Sequence, residues 1–340
     1  HAGKSESILG KALSGGYREK VKIATKLPSF LVKTMDDTKK IFAKQLTRLQ
    51  TDYIDYYLLH MLTDKPSFDR LAELGVMSWL EELKKKGSIR NIGFSFHGGK
   101  TDFEQIITAY PWDFCQIQYN YMDENNQATR AGLMLASGMG IPVMVMEPLR
   151  GGKLVTHLPQ EVSKAFKDFN KDRSPAEWAL RWIWNHPEVN VVLSGMSDEN
   201  QIADNIRIAS EAAPNTLTPE EIAVFDRVKK VMQEKTKINC TACGYCMPCP
   251  AGVDIPACFS HYNDKYLTND KSVRSRYFQS LGALSAKPAY ASKCIGCGKC
   301  ESHCPQNIAI RQQLKLVSKE IEGLLFKPVV WIARKFMRLK

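Results

Sequence analysis

The chain has 340 residues, 44% of them hydrophobic and 24% charged, which suits two domains or one large barrel with an appendage and excludes wholesale disorder. No apolar run approaches the roughly 20 residues that a membrane-spanning helix needs. The net charge of +11 is uneven: residues 1–236 carry 31 Lys/Arg against 30 Asp/Glu, whereas 237–340 carry 16 against 6. Only the second part is therefore suited to an acidic partner, anionic lipid or nucleic acid.

From residue 21 onward, apolar β-rich runs alternate with helical periodicity. The predicted strands are 21–26, 53–60, 89–96, 114–120, 141–147 and 189–195. Several are apolar at nearly every residue, as strands buried on both faces are. Helices are predicted over 36–50, 76–86, 102–110, 126–138, 175–185 and 198–212. Ser174-Pro175 reads as an N-cap followed by a first-turn proline, and Ser197 precedes Asp198-Glu199. Residues 21–212 hold six such units of 32 residues each. That is the length of a βαβ repeat, and it predicts a parallel α/β sheet. Six units do not close an eight-stranded barrel and could also form an open doubly wound sheet, although no G-x-G-x-x-G follows the first strand. A helix over 218–234, with Thr218 as cap and Pro219 at its first position, closes this domain.

Nine of the ten cysteines lie between Cys240 and Cys304. Their tight clustering in a large chain argues against a secreted disulfide framework and for bound metal in a reducing, cytoplasmic compartment. Cys294-x2-Cys297-x2-Cys300-x3-Cys304-Pro305 is the bacterial ferredoxin run. Cys240-x2-Cys243-x2-Cys246-x2-Cys249-Pro250 is one residue shorter at its last step. Two such runs predict two [4Fe–4S] clusters with crossed ligation: Cys240, Cys243, Cys246 and Cys304 on the first, and Cys294, Cys297, Cys300 and Cys249 on the second. The spacing also admits a pair of zinc sites. The 44 residues between the runs read as helical with loops, which resembles the α-helical ferredoxin domain. Cys258 is a spare, expected to be a packed structural thiol. Lys265, Lys271, Arg274, Arg276, Lys293 and Lys299 surround the runs and would raise cluster potentials or dock an acidic redox partner.

Two polar residues end apolar strands, Lys26 after 21–25 and His60 after 53–59. With "ATKL", "DYIDYYLLH", "IRNIGFSFH", "CQIQYN", "MEPLRGG" and "VVLSGMSDENQIADN" in this order, the sequence resembles the aldo/keto reductase family, in its bacterial form with a C-terminal ferredoxin-type domain. The resemblance implies a (β/α)8 barrel over 1–236, a 4Fe–4S domain over 237–322, and a tail over 323–340. It implies an oxidoreductase acting on a small-molecule carbonyl or alcohol with NAD(P)H. Lys26 and His60 match two members of the family's Asp, Tyr, Lys and His tetrad. The Asp and Tyr would precede Gly3, this sequence begins at His1, and Tyr17 is a poor substitute. The expectation is six of eight barrel strands, no proton donor, and no carbonyl reduction by the sequence as it stands.

For the cofactor, the resemblance implies that Ser95 and Gln116 hold the nicotinamide amide. Met146 falls where many members place a stacking tyrosine. Pro148, Leu149, Arg150, Gly151 and Gly152 fall near the pyrophosphate. Ser194, Gly195, Met196, Gln201 and Asn205 fall on the adenosine side, where a helix N-terminus suits a phosphate. No Arg or Lys lies between Ser194 and Ile206, so NADH and NADPH stay open. Hydride carries two electrons and a cluster one, and no flavin motif bridges them, so the clusters would serve an external partner or be structural. An electron-transfer or binding module with a degenerate barrel is the alternative function. The tail mixes aliphatic and aromatic residues with Lys327, Arg334, Lys335, Arg338 and Lys340. Packing on the ferredoxin-type domain is the preferred reading for it, a basic membrane anchor the alternative. Nucleic acid is not expected as a partner.

Overall fold

A computed structural model describes residues 3–156, 158–267, 272–283 and 287–336. The chain divides into two compact units. The first comprises His1–Tyr119, Asp123–Met146 and His186–Gly195; the second comprises Asn120–Met122, Glu147–Asn185 and Met196–Lys340.

The first unit holds one all-parallel sheet of six strands in sequential order: β1 (Ala24–Pro28), β2 (Ile54–Leu62), β3 (Ile89–Phe96), β4 (Phe114–Gln118), β5 (Val143–Met146) and β6 (Val189–Val192). Neighbours in space are neighbours in sequence, the order of a (β/α)8 barrel, in which each crossover is helical. Helix Met35–Leu49 starts at a reciprocal cap between Thr34 and Asp37. Lys65–Glu73, capped by Asp64, and Val76–Lys85 follow β2. Phe94, Phe96, Phe103 and Trp112 pack edge-on or tilted in the core, with Phe94 and Trp112 centroids 4.7 Å apart. At the start of β2, the buried Asp55 carboxylate accepts from Arg18 at 3.0 Å and from the Ile23 N–H at 2.9 Å. Arg18 also donates to the Tyr53 carbonyl. This buried charge is paired and hydrogen-bonded, as burial demands.

Of the predicted strands only 89–96 keeps its bounds: the first two shift toward the C-terminus, and 114–120, 141–147 and 189–195 shorten to Phe114–Gln118, Val143–Met146 and Val189–Val192. Lys26 sits within β1, and β2 runs two residues beyond His60, because Leu27 and Leu62 are fully buried and carry their strands onward. The register shifts between Leu59 and Leu62, where Met61 adopts φ 59°. Helices Lys4–Ala12, Lys65–Glu73 and Gln160–Phe169 go beyond the predicted set.

In the second unit, helices Gln160–Phe169, Pro175–Trp184 and Pro219–Lys235 bury Phe166, Trp178 and Phe225 against one another. Glu177 ties Pro175–Trp184 to Glu199–Glu211 through Arg181 at 2.7 Å and Arg207 at 2.6 Å. Those two guanidinium hydrogen bonds outweigh burial and hold its carboxyl below the usual range. The cysteine-rich region has its own core, in which helices Ile255–Leu267 and Ile310–Val317 bury Phe259, Tyr262, Leu314 and Val317. Among the described residues, no helix is long and apolar enough to cross a membrane.

Candidate active site and metal centres

In the first unit, Lys26 pairs in register with Leu58, and Pro28 with His60. Side chains alternate along a strand, so Lys26 and His60 leave the same face of neighbouring strands. Both are half-buried. Burial lowers the Lys26 pKa. Burial, then the charges of Lys26 and His97, press the His60 imidazole down to about 4. His60 is therefore neutral near pH 7, with one nitrogen able to donate. The Phe30 ring stands 6.1 Å from the His60 ring.

Ser95 and Gln116 are register partners on β3 and β4, and both are buried. The Ser95 hydroxyl accepts from the Met61 N–H at 2.9 Å, which fixes the irregular end of β2. Gln116 Nε2 donates to the Met146 thioether at 2.9 Å. Four further buried polar residues of this unit follow these strands or end them. Gln118 donates to Asp123 at 2.9 Å and accepts from Gln127, while His97 follows directly after β3. Burial holds His97 near 4 despite its hydrogen bond with Gln127. Sequence reading passed over His97, although it too is a polar residue directly beyond an apolar strand. Tyr17 is exposed, in the turn before Arg18–Lys20.

The cofactor candidates divide between the units. Ser194 and Gly195 follow β6 in the first, whereas Pro148, Leu149, Gly151, Met196, Gln201 and Asn205 belong to the second. Asp198 caps helix Glu199–Glu211 and accepts from the N–H groups of Asn200 at 2.9 Å and Gln201 at 3.4 Å. Gln201 Oε1 accepts from the Ser197 N–H. The N-terminus expected to suit a phosphate is thus already served by a carboxylate, and an incoming anion meets like charge. The 148–153 loop faces another part of its own unit. Arg150 is buried and donates to Asn239, and Lys153 Nζ donates to the Cys240 carbonyl at 3.0 Å. Gly151 (φ 65°) lies so close to the Thr241 carbonyl that a Cβ would stand 3.0 Å from it.

Both cysteine runs are entered through buried side-chain clamps. Asn263 accepts from the N–H groups of Lys237 and Ile238 and donates to the Ile238 carbonyl, which fixes the approach to Cys240. The Tyr277 hydroxyl accepts from the Ala291 N–H at 2.8 Å and donates to Glu322, which accepts from the Ser292 N–H. This second clamp fixes the approach to Cys294. Each run then turns the same way. The Ala242 N–H donates to Cys240 Sγ, and the Gly296 N–H to Cys294 Sγ, both at 3.4 Å. Both residues have positive φ, 59° at Ala242 and 73° at Gly296.

Cys240, Cys243, Cys246 and Cys304 line one small cavity, walled by Ile255, Phe259, Ile308 and Ile310. Burial, then the neighbouring Cys240, Cys243 and Cys304, push the Cys246 thiol up to about 12. Cys300 is raised by burial, then by Glu301, Cys294 and Cys249. Thiols held neutral in this way are poor nucleophiles; a bound cationic centre would make them thiolates. Among the described residues no group of His, Cys, Asp or Glu is arranged to grip a single ion. Cys258 is fully buried, its sulfur against the Tyr277 hydroxyl and the Ala289 carbonyl. Of the basic residues near the runs, Lys265 is paired with Glu320 and Arg274 donates to the Glu322 carbonyl. Lys271 lies outside the described residues, as do Arg338 and Lys340 of the tail.

The parallel βα sheet with a Lys–His pair, and the cysteine-lined cavity, suit an iron–sulfur oxidoreductase. Residues 1–230 match the aldo/keto reductase family, and residues 239–309 match the 4Fe-4S dicluster domain. The chain belongs to the aldo/keto reductase family. It is 27% identical to the uncharacterized oxidoreductase YqkF of Bacillus subtilis, over 69% of this chain and 80% of that protein. It is 27% identical to the NADH-specific methylglyoxal reductase of Escherichia coli, over 60% of this chain and 74% of that protein. A solved aldo-keto reductase from Bacillus halodurans, in its holo form, superposes with a TM-score of 0.55 at 27% identity, covering 67% of this chain and 78% of that one.

Proposed function

We propose that this chain is a nicotinamide-dependent reductase of small carbonyl compounds, or dehydrogenase of the matching alcohols, joined to a module holding two [4Fe–4S] clusters. The reductase region is 1–236, the cluster region 237–322 and the tail 323–340. Cys240, Cys243, Cys246 and Cys304 bind one cluster; Cys294, Cys297, Cys300 and Cys249 bind the other. The donor set fits: all thiolate sulfur, backbone N–H groups aimed at two of those sulfurs, and apolar walls. Such clusters, when bound, exchange single electrons with an external carrier.

In the active site, neutral His60 donates an N–H to the substrate carbonyl oxygen and orients it. The Lys26 ammonium stabilises the negative charge that develops on that oxygen and lowers the pKa of a phenolic proton donor beside it. No residue of this chain is assigned as that donor. A bound nicotinamide supplies hydride, and Ser95 with Gln116 would hold its carboxamide. Gln116 fits that task, since its amide N–H is spent on a thioether, a weak acceptor that a carboxamide oxygen can replace. The NADH specificity of the Escherichia coli relative, and the neutral Gln201, favour NADH.

The observation that carries this reading is the placement of Lys26 and His60 on one face of adjacent parallel strands. The test is anaerobic titration of the intact protein with NADH and NADPH, followed by turnover of methylglyoxal and other small carbonyls. NADH binding is expected; turnover that Lys26→Met abolishes is expected only where a phenolic proton donor is supplied, and none from these 340 residues alone. One observation favours the alternative of a degenerate barrel serving the clusters alone: the chain's own Asp198 occupies helix N–H groups assigned to the cofactor. Bound clusters without nucleotide binding would establish that alternative.

A further inference from the structure

The C-terminal helix Phe326–Phe336 is more apolar than its packing requires. Phe326 and Val330 are buried with Tyr277 and Leu281, so the helix is anchored to the cluster region. Yet Leu324 is 99% exposed, Leu325 73% and Trp331 64%, with Val329 and Ile332 near half. Leu325, Val329 and Ile332 fall at i, i+4 and i+7, one stripe of the helix. Leu325, Val329 and Phe278, with Arg274, line an open groove. Single exposed apolar side chains are ordinary; five within nine residues form a patch that needs a partner.

Charge identifies the partner. Residues 323–340 contain five Lys/Arg and no Asp/Glu, and Lys335 Nζ lies 5.2 Å over the Trp331 ring. A second copy of this chain would bring the same cations face to face and be repelled. We propose that this helix docks the protein on the surface of an anionic lipid bilayer. Leu324, Leu325, Val329 and Ile332 enter the acyl boundary, Trp331 sits at headgroup level, and Lys327 and Lys335 meet anionic headgroups. The helix lies on the bilayer and does not span it.

Flotation of the full chain with phosphatidylcholine vesicles, and with vesicles containing phosphatidylglycerol, tests this. Binding to the anionic vesicles only, released by high salt, is expected. Lys327→Gln and Lys335→Gln should each weaken it about five-fold. The double variant Trp331→Gln/Ile332→Gln should weaken it by at least about ten-fold while cluster absorbance stays unchanged, since both positions are exposed. The proposal is overturned if anionic vesicles do not bind or if the variants bind them as the parent does. It is equally overturned if light scattering shows that the double variant only dissolves a lipid-free dimer.

Discussion

Asn263→Ala removes the clamp that delivers the chain into the first cysteine run. The side chain is 4% exposed and makes three hydrogen bonds: from Lys237 N at 3.1 Å, from Ile238 N at 2.9 Å, and to Ile238 O at 2.6 Å. Each such bond is worth about 1 kcal/mol net, and a buried group left unsatisfied costs about 1–3 kcal/mol. Ile238 is 2% exposed, so water cannot freely replace Asn263 there. The expected loss is about 3–5 kcal/mol, a large share of the roughly 5–15 kcal/mol that a domain has. Anaerobic urea denaturation, followed by circular dichroism and by cluster absorbance, measures it. Asn263→Leu keeps the bulk and loses the bonds, so it should cost about as much as alanine. Asn263→Asp keeps both acceptor bonds and should cost less. A loss below about 0.5 kcal/mol for Asn263→Ala, the scale of ordinary surface changes, or full rescue by leucine, would refute the reasoning.

Further outcomes follow from the same geometry. Lys153→Met removes a cation that donates to the Cys240 carbonyl; one cluster should become harder to reduce, and the other unchanged, in an EPR-monitored redox titration. Asp55→Ala leaves Arg18 buried without its carboxylate and should cost about 3–5 kcal/mol in urea unfolding. Arg90→Gln, at an exposed end of the same cluster, should cost less than about 1 kcal/mol. His60 and His97 are held near 4 in the fold, against about 6.5 when unfolded. Between those values the unfolded chain binds more protons. Stability should therefore fall as pH drops from 6.5 toward 4, and His97→Gln should flatten that slope.

The parallel order of β1–β6 was legible because near-continuous apolar runs recur at βαβ spacing. So were the cysteine runs, whose ligand spacing is local in sequence. Strand ends were less legible. A polar residue such as His60 does not stop a strand whose next buried position, Leu62, still pays for extension. The clamps were invisible, because Asn263 and Glu322 act on backbone 25 and 30 residues away, and nothing in a linear pattern marks such pairs. The cap at Asp198 was readable as a helix start, but not as a carboxylate occupying the N–H groups offered to a phosphate. The tail's sequence admits packing or anchoring, and in the fold Phe326 and Val330 pack while the opposite apolar stripe stays exposed.

The two-cluster assignment is tested most directly by iron and sulfide analysis of the anaerobically purified protein, combined with EPR of its reduced form. The account predicts about eight iron and eight sulfide per chain, with spectra of two interacting centres, and Cys304→Ser perturbing the centre that also uses Cys240. About four iron with a single isolated centre, or zinc without sulfide, would contradict it.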